Sequence, residues 1–185
     1  MKKIGKWKVL DSTYIIRRPW LTARCDKVEL PDGTVHPEYY VLEYPVWVNV
    51  IAITADGRFV MVEQYRHGLR EVFTELVAGV SEKGETPLES ARRELLEETG
   101  YGRGEWQQFT VLSQNPGSTN NLTYTFLATN VEKIAGQHLD ETEDIAVRLL
   151  SEAEVKQMLL QDEIKQSLMA APLWKYFALK TDITK

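Results

Sequence analysis

The stretch GVSEKGETPLESARRELLEETGY, residues 79–101, decides the fold of this 185-residue chain. It places Glu94, Glu97 and Glu98 on one predicted helix. Residues three or four positions apart share one face of a helix, so Glu94 meets both of the other carboxylates. Each like-charge pair on a helix costs about 0.2–0.5 kcal/mol. The spacing therefore fits two interpretations: a solvated surface partly offset by neighbouring arginines, or a carboxylate cluster that binds a cation.

The ends of this helix are well marked. Thr86 and Glu89 form a capping box around Pro87, which suits the first helical position, and Gly100 is typical of a helix end. The apolar stripe of the helix consists of Leu88, Ala91 and Leu95. Because this stripe must face a core, the acidic side is directed toward the loop in front of the helix. Carboxylate oxygens so arranged suit Mg²⁺ or Mn²⁺, which proteins commonly hold together with substrate phosphates.

The whole stretch has the form GX5EX7RELXEEXGY, in which X is any residue. It resembles the Nudix box at every fixed position. The resemblance implies an enzyme that uses a divalent metal to hydrolyse a nucleoside diphosphate linked to another group. It also implies a Nudix-type α/β/α sandwich with a mixed sheet.

Segments outside the box are similar to one branch of that family, the ADP-ribose pyrophosphatases and nucleotide-sugar hydrolases. They are QYR at 64–66, ELVAG at 75–79 and NPGS at 115–118, with Pro116 fifteen residues beyond Tyr101. Val77 stands where this branch usually has proline. The acidic run LDETEDI at 139–145 also resembles the branch. The similarity covers most of residues 46–180.

The resemblance assigns the metal to Glu94, Glu98 and the backbone carbonyl of Ala78, with Glu97 assisting. These oxygen donors can hold Mg²⁺ against a pyrophosphate and activate water, so Glu94, Glu97 and Glu98 are the candidate catalytic residues. Arg93 is expected to be structural, because its i,i+4 relation to Glu89 and Glu97 lets it hold the acidic face together. Glu85 is either a further metal ligand or a solvated loop acid.

The substrate is expected to contact Arg66, Trp20, Pro116 and Ser118. Arg66 follows a buried strand, where a permanent cation suits phosphate recognition, although a surface ion pair explains it equally well. Trp20 either stacks on a base or packs beside Pro19. Trp47 is expected in the core, and the three histidines have no ligand spacing.

One departure concerns the catalytic base. The ADP-ribose branch commonly presents a glutamate after its marker proline, but this chain has Thr119, Asn120 and Asn121. An amide cannot take a proton from water. The base is therefore expected to be Glu97 or one of two acids in the LDETED run, Glu141 and Glu143. Of these two, Glu143 is the predicted catalytic residue.

The strand pattern divides the chain near Pro45. Residues 1–45 predict a small N-terminal antiparallel β subdomain, with a turn at Pro31-Asp32-Gly33, that is too small for its own core. It is expected to cover the substrate or to join two copies of the chain in a homodimer. Residues 46–185 predict the Nudix domain, in which strands precede and follow helices.

Composition limits the class of protein. Hydrophobic residues make up 43% and charged residues 26%, as in ordinary soluble domains. The net charge of −5 argues against nucleic-acid binding. No apolar run approaches the length of about 20 residues that spans a membrane. The opening residues lack the apolar part of an export signal and Cys25 is the single cysteine, so a cytoplasmic location is expected.

The function predicted from the sequence is metal-dependent hydrolysis of a nucleoside diphosphate sugar to a nucleoside monophosphate and a sugar phosphate. ADP-ribose is the first candidate substrate. GDP-mannose and dinucleotides such as NADH are alternatives within the class. The alternative of a different class is a catalytically silent nucleotide sensor, against which the complete set of box acids argues.

Overall fold

The N-terminal strands form a three-stranded antiparallel sheet in the order β1 (Lys8–Arg18), β2 (Leu21–Glu29) and β3 (Val35–Glu43). The computed structural model describes residues 4–183. The predicted turn between β2 and β3 is confirmed: Gly33 has a φ of 86°, and its N–H donates to the carbonyl of Leu30 at 2.9 Å. Glycine tolerates this left-handed conformation without strain.

A later segment belongs with this sheet. By its contacts the chain divides into two units, and Ser113–Asn121 groups with the described residues up to Pro45. The N–H of Leu42 donates to the carbonyl of Ser118 at 2.7 Å, and the N–H of Asn120 donates to the carbonyl of Leu42 at 3.3 Å. These backbone bonds extend the edge of β3.

The second unit contains a seven-stranded mixed sheet. Its strands are β4 (Trp47–Thr54), β5 (Phe59–Arg66), β6 (Glu71–Val80), β7 (Tyr101–Gly102), β8 (Glu105–Leu112), β9 (Thr123–Lys133) and β10 (Ile145–Leu150). They follow the order β10-β5-β6-β4-β9-β7, and β8 also pairs with β9. The pairing of β4 with β9 is parallel, and the other pairings are antiparallel.

Helices cover both faces of this sheet: α1 (Pro87–Thr99), α2 (Glu152–Leu160) and α3 (Ser167–Ile183). Side chains alternate along β4, as the period of a strand requires. Val48 and Val50 pack in one core with Leu95 of α1, whereas Ile51 packs in a second core with Leu173 of α3. The predicted α/β/α sandwich is therefore confirmed.

Some element bounds differ from the prediction. β6 begins at Glu71 instead of Glu75, because Arg66 and Glu71 pair across a hairpin that the polar segment between them concealed. α3 begins at Ser167 and contains Pro172 in its interior, near the N-terminal end. No helix within residues 4–183 is long and apolar enough to cross a membrane.

Candidate active site

α1 is capped at both ends, as the sequence predicts. The Thr86 hydroxyl accepts from the N–H of Glu89, and the Glu89 carboxylate accepts from the N–H of Thr86 at 2.7 Å. Gly100 ends the helix in the left-handed conformation with a φ of 73°. These caps set which residues face the sheet, and Ala91 and Leu95 are fully buried there.

Glu98 is a buried carboxylate at the C-terminal end of α1. Its exposed fraction is 3%, and its Oε2 has no hydrogen-bond partner among residues 4–183. Burial is the main cause that raises its pKa to about 9, and the charges of Glu94 and Glu143 add to it. A backbone hydrogen bond from Ala78 and the charge of Arg66 act in the opposite direction. Such a group requires a proton or a cation.

Glu94 lies one turn before Glu98 and is 8% exposed. Burial raises its pKa, and the nearby Arg93 opposes that shift. Its carboxylate lies directly against the backbone of Gly79, where an added Cβ would stand 2.1 Å from the Glu94 Cδ. Gly79 is therefore required for close approach, because any side chain would occupy the space of this carboxylate. The two acids are not on a solvated surface.

Arg93 connects the acids of the site. Its guanidinium donates to Glu85 at 2.9 Å and to both Glu94 and Glu97 at 3.0 Å. It also donates to the backbone carbonyl of Val80 at 3.0 Å. The predicted structural role and the pairing with Glu97 are confirmed. Glu89, the other predicted partner, is engaged by Thr86 at the helix cap instead.

Glu85 is held in place by several donors. Arg93 is the main cause that lowers its pKa to about 2, followed by the backbone of Glu82 and the hydroxyl of Ser90. Ser90 Oγ donates to Glu85 at 2.8 Å. Glu85 is thus an ion-paired residue that fastens the loop in front of α1, and the solvated-acid interpretation is wrong.

Arg66 at the end of β5 is oriented by a buried acid. Its Nε and Nη2 donate to the same oxygen of Glu75 at 2.9 and 2.6 Å, and Gln64 donates to that oxygen at 3.2 Å. The Glu75 side chain is only 5% exposed, whereas the Arg66 side chain is 40% exposed. The ion pair therefore fixes one edge of the guanidinium and leaves part of the cation accessible.

A cavity of about 280 Å³ adjoins these groups. Its lining residues are Trp47, Val48, Asn49, Arg66, Ala78, Gly79, Val80, Gln166 and Leu168. Trp47 is half-buried and lines this cavity, so its predicted place in the core is wrong. The cavity combines an indole, a guanidinium and side-chain amides, a composition that suits a polar ligand with a flat or apolar part.

Glu143 lies in the segment between β9 and β10. Its carboxylate accepts from the N–H of Asp140 at 2.9 Å. Its charge contributes to the raised pKa of both Glu94 and Glu98, which brings it into the electrostatic range of the pair. Glu94, Glu143 and Arg66 therefore all act electrostatically on Glu98, and all four residues belong to one unit.

The remaining candidates belong to the N-terminal unit. Trp20 follows β1 and is 77% exposed, so it does not pack as an ordinary core residue. Pro116 and Ser118 lie in Ser113–Asn121. In that segment the Asn120 amide oxygen accepts from the N–H of Tyr44 at 3.2 Å, and the Asn121 amide donates to the carbonyl of Pro45 at 3.0 Å. These amides fasten the backbone at positions where the ADP-ribose branch commonly has a glutamate.

The donor set suits a hard divalent cation. Within the part of the chain that the structure describes, no three His, Cys, Asp or Glu side chains form a group that could hold a metal. Mg²⁺ commonly uses one or two carboxylates and completes its shell with substrate phosphates and water. The unpartnered Oε2 of Glu98 and the neighbouring Glu94 carboxylate meet that requirement.

Two buried polar residues of the site have no role in the sequence-based interpretation. Glu75 orients Arg66, and Asn49 donates its amide to the carbonyl of Leu168 at 2.7 Å, which ties β4 to the start of α3. Both stand as polar residues inside apolar strand runs. This pattern in the sequence indicates that each side chain needs a hydrogen-bond partner, because buried polar groups require partners.

Family models match both parts of the chain. Residues 7–42 match the nucleoside diphosphate sugar hydrolase N-terminal domain, and residues 43–171 match the NUDIX domain. Among solved structures, one titled "Crystal structure of ADP compounds hydrolase" superposes with a TM-score of 0.80 at 20% identity, covering 97% of this chain and 98% of that chain. This likeness concerns the fold.

Curated relatives agree with the family models. The methanol dehydrogenase activator of Bacillus methanolicus is 35% identical over 83% of this chain and 84% of its own length. The ADP-ribose pyrophosphatase of Bacillus subtilis is 34% identical over 76% and 71%, and that of Mycobacterium tuberculosis is 31% identical over 85% and 77%. The chain belongs to the Nudix hydrolases, in the branch of the ADP-ribose pyrophosphatases and nucleotide-sugar hydrolases.

Proposed function

We propose that this hydrolase cleaves the diphosphate of a nucleoside diphosphate sugar, with ADP-ribose as the first candidate. Water would add to one phosphorus, and the products would be a nucleoside monophosphate and a sugar phosphate. The observation that carries the proposal is Glu98, a buried carboxylate with an unpartnered oxygen beside Glu94. It lies near the arginine of an open cavity.

The proposed metal ligands are Glu94, Glu98 and the carbonyl of Ala78, with Glu97 assisting. Bound Mg²⁺ or Mn²⁺ would offset the charge that develops on the diphosphate and lower the pKa of water. The protein orients these oxygens beforehand through the bonds of Arg93 to Glu94 and Glu97. Preorganised groups of this kind lower the barrier because they need not rearrange during the reaction.

Arg66 is proposed to bind a phosphate of the substrate. Glu75 occupies its Nε and Nη2, so the orientation is fixed while the guanidinium remains partly accessible. Arginine keeps its charge at every physiological pH and binds phosphate through several donors. Trp47 and Gln166 line the adjoining cavity, and we propose that the other part of the substrate binds beside them. Trp20, Pro116 and Ser118 stay predicted substrate contacts.

Glu143 is the proposed general base. Glu97 is held by Arg93 at 3.0 Å, which occupies one of its oxygens. Glu143 is exposed and its charge acts on both Glu94 and Glu98, which makes it the acid of the loop that we propose to face the reacting water. A base must lie within hydrogen-bond reach of that water in the substrate complex.

A homodimer is proposed from the surface of the N-terminal sheet. Every residue of β1 is exposed, and these include Val9, Tyr14 and Ile15. Exposed apolar side chains on an edge strand favour association with another chain. Sedimentation equilibrium should give twice the 21.3 kDa mass of the chain. A mass of one chain at micromolar concentration would contradict the dimer. The cytoplasmic location stays a prediction.

Product release from a substrate panel tests the proposed function. The panel contains ADP-ribose, GDP-mannose, other nucleotide sugars and NADH, each with and without Mg²⁺. Faster turnover of ADP-ribose than of the other compounds supports the proposal. If another compound is hydrolysed fastest, that compound is the substrate and the proposed chemistry still holds. No product from any compound would contradict hydrolysis and favour the silent sensor.

Gly79→Ala should reduce activity more than stability. The new Cβ would collide with the Glu94 carboxylate, which is the flexible end of a side chain and can move aside. We expect kcat to fall about 100-fold, as for a catalytic group displaced by about 1 Å. The free energy of unfolding should change by about 1 kcal/mol or less. Gly68→Ala is the matched control, because an added Cβ there meets nothing within 4 Å.

A further inference from the structure

The side chain of Gln137 bridges two elements of the candidate site. Its Nε2 donates to the backbone carbonyl of Glu98 at 2.7 Å and to the backbone carbonyl of Ile145 at 3.0 Å. Glu98 belongs to the last turn of α1, and Ile145 is the first residue of β10. Both hydrogens of one amide group therefore join the helix that carries the buried acids to the strand that follows the acidic loop.

The acidic loop is the segment 138–144, which lies between Gln137 and Ile145 in the sequence. Its first residue, His138, donates its N–H to the carbonyl of Glu97 at 2.8 Å. Its far part is closed by a turn in which the N–H of Glu143 donates to the carbonyl of Asp140 at 2.9 Å. Leu139 packs against the core beneath α1. The loop thus follows the end of the helix, and Gln137 ties the helix to the strand at which the loop ends.

We propose that Gln137 is a positioning residue that holds the acidic loop against the end of α1 and so keeps Glu143 facing the pair Glu94 and Glu98. The proposal rests on the proposed function, in which Glu143 is the base. Its geometric basis is the double donation, because the two carbonyls acquire a fixed separation only while one amide binds both. Gln137 itself touches no reacting atom in this account.

A purely structural role would use the same bonds. The last carbonyls of a helix lack partners within the helix, and Gln137 supplies one to Glu98. A cap of this kind would stabilise α1 without any connection to Glu143. The two roles differ in how a change at Gln137 combines with a change at Glu143, because interacting sites are non-additive and independent sites are additive.

Gln137→Leu removes both donors while keeping a side chain of similar size. We expect kcat to fall about tenfold, less than the roughly 100-fold loss from an ångström-scale displacement of a catalytic group, with KM changed by less than about twofold. In the Glu143→Gln background, the same substitution should lower kcat by less than about twofold. An equal loss in both backgrounds would overturn the positioning role in favour of a cap. Gln161→Leu, at the exposed end of α2, should leave kcat unchanged.

Limited proteolysis of the metal-free protein measures how readily the acidic loop opens, and it does not depend on catalytic turnover. A glutamate-specific protease can cut after Glu141 and Glu143, and cleavage follows local opening. Gln137→Leu should raise the cleavage rate there by about fivefold or more while the thermal midpoint changes little. An unchanged cleavage rate would overturn the proposal. If the parent enzyme hydrolyses no compound of the panel, or if Glu143→Gln is fully active, the proposed function fails and this measurement still decides the role of Gln137.

Discussion

Replacing Glu98 with glutamine is expected to abolish turnover, with kcat lower by about 1000-fold or more in the presence of Mg²⁺. The substitution keeps the size of the side chain and removes its charge. Glu98 Oε2 is buried with no hydrogen-bond partner among residues 4–183, so the proposed cation is what that oxygen would bind. Steady-state hydrolysis of ADP-ribose checks this result. Turnover at the parent rate would show that the metal assignment is wrong.

The same variant should not lose stability in the absence of metal. Burial raises the pKa of Glu98 from 4.5 to about 9, so between these values the folded protein holds a proton that the unfolded chain releases. The free energy of unfolding therefore falls as pH rises through this window. Glu98→Gln removes this contribution, so its stability should depend less on pH. Urea unfolding at about pH 6 and about pH 8.5 measures the difference, and Glu105→Gln on β8 serves as the exposed control.

Replacing Arg93 with methionine is expected to cause a large loss of both stability and activity. The change leaves Glu85, Glu94 and Glu97 without their shared cation. Breaking a fully buried ion pair costs about 3–5 kcal/mol. The Arg93 side chain is 23% exposed, so solvent screening should reduce the loss to about 2–3 kcal/mol. Because Glu94 and Glu97 lose their orientation, kcat should also fall about 100-fold.

Urea unfolding of the metal-free protein at neutral pH measures the effect of Arg93→Met. Arg92→Met is the matched control on the same helix. Arg92 is exposed, and its guanidinium lies 5.6 Å from the centre of the Trp106 ring, a contact that should contribute about 1 kcal/mol or less. Equal losses in the two variants would show that the interactions of Arg93 with the acids do not stabilise the fold.

The sequence predicts α1 well because its signals are local. The capping box at Thr86 and the left-handed end at Gly100 depend on residues within a few positions of one another, and both are confirmed. The alternation of β4 is local in the same way, and so is the start of α2, where the Ser151 side chain accepts from the N–H of Glu154 three positions later. The family resemblance implies that these acids bind a metal, whereas their spacing alone is compatible with a solvated surface.

The interactions that the sequence does not predict join residues far apart in the chain. Glu75 meets Arg66 across the β5–β6 pair. A polar residue inside an apolar run indicates that Glu75 needs a partner, but not which residue the partner is. Asn121 fastens Pro45, a residue 76 positions earlier, so the amides of this segment could be understood only in the folded chain. Gln137 reaches back 39 positions to Glu98. Sequence patterns with a short period carry no information about such pairs.

Hydrolysis of ADP-ribose before and after removal of divalent metal tests the central claim most directly. The enzyme is assayed with Mg²⁺, after EDTA, and after Mg²⁺ is restored, with AMP and ribose 5-phosphate separated by chromatography. We predict that both products form in equal amounts with Mg²⁺, cease with EDTA and return with the metal. Product formation at the same rate in EDTA would contradict the metal-dependent chemistry, and no product under any of the three conditions would contradict ADP-ribose as the substrate.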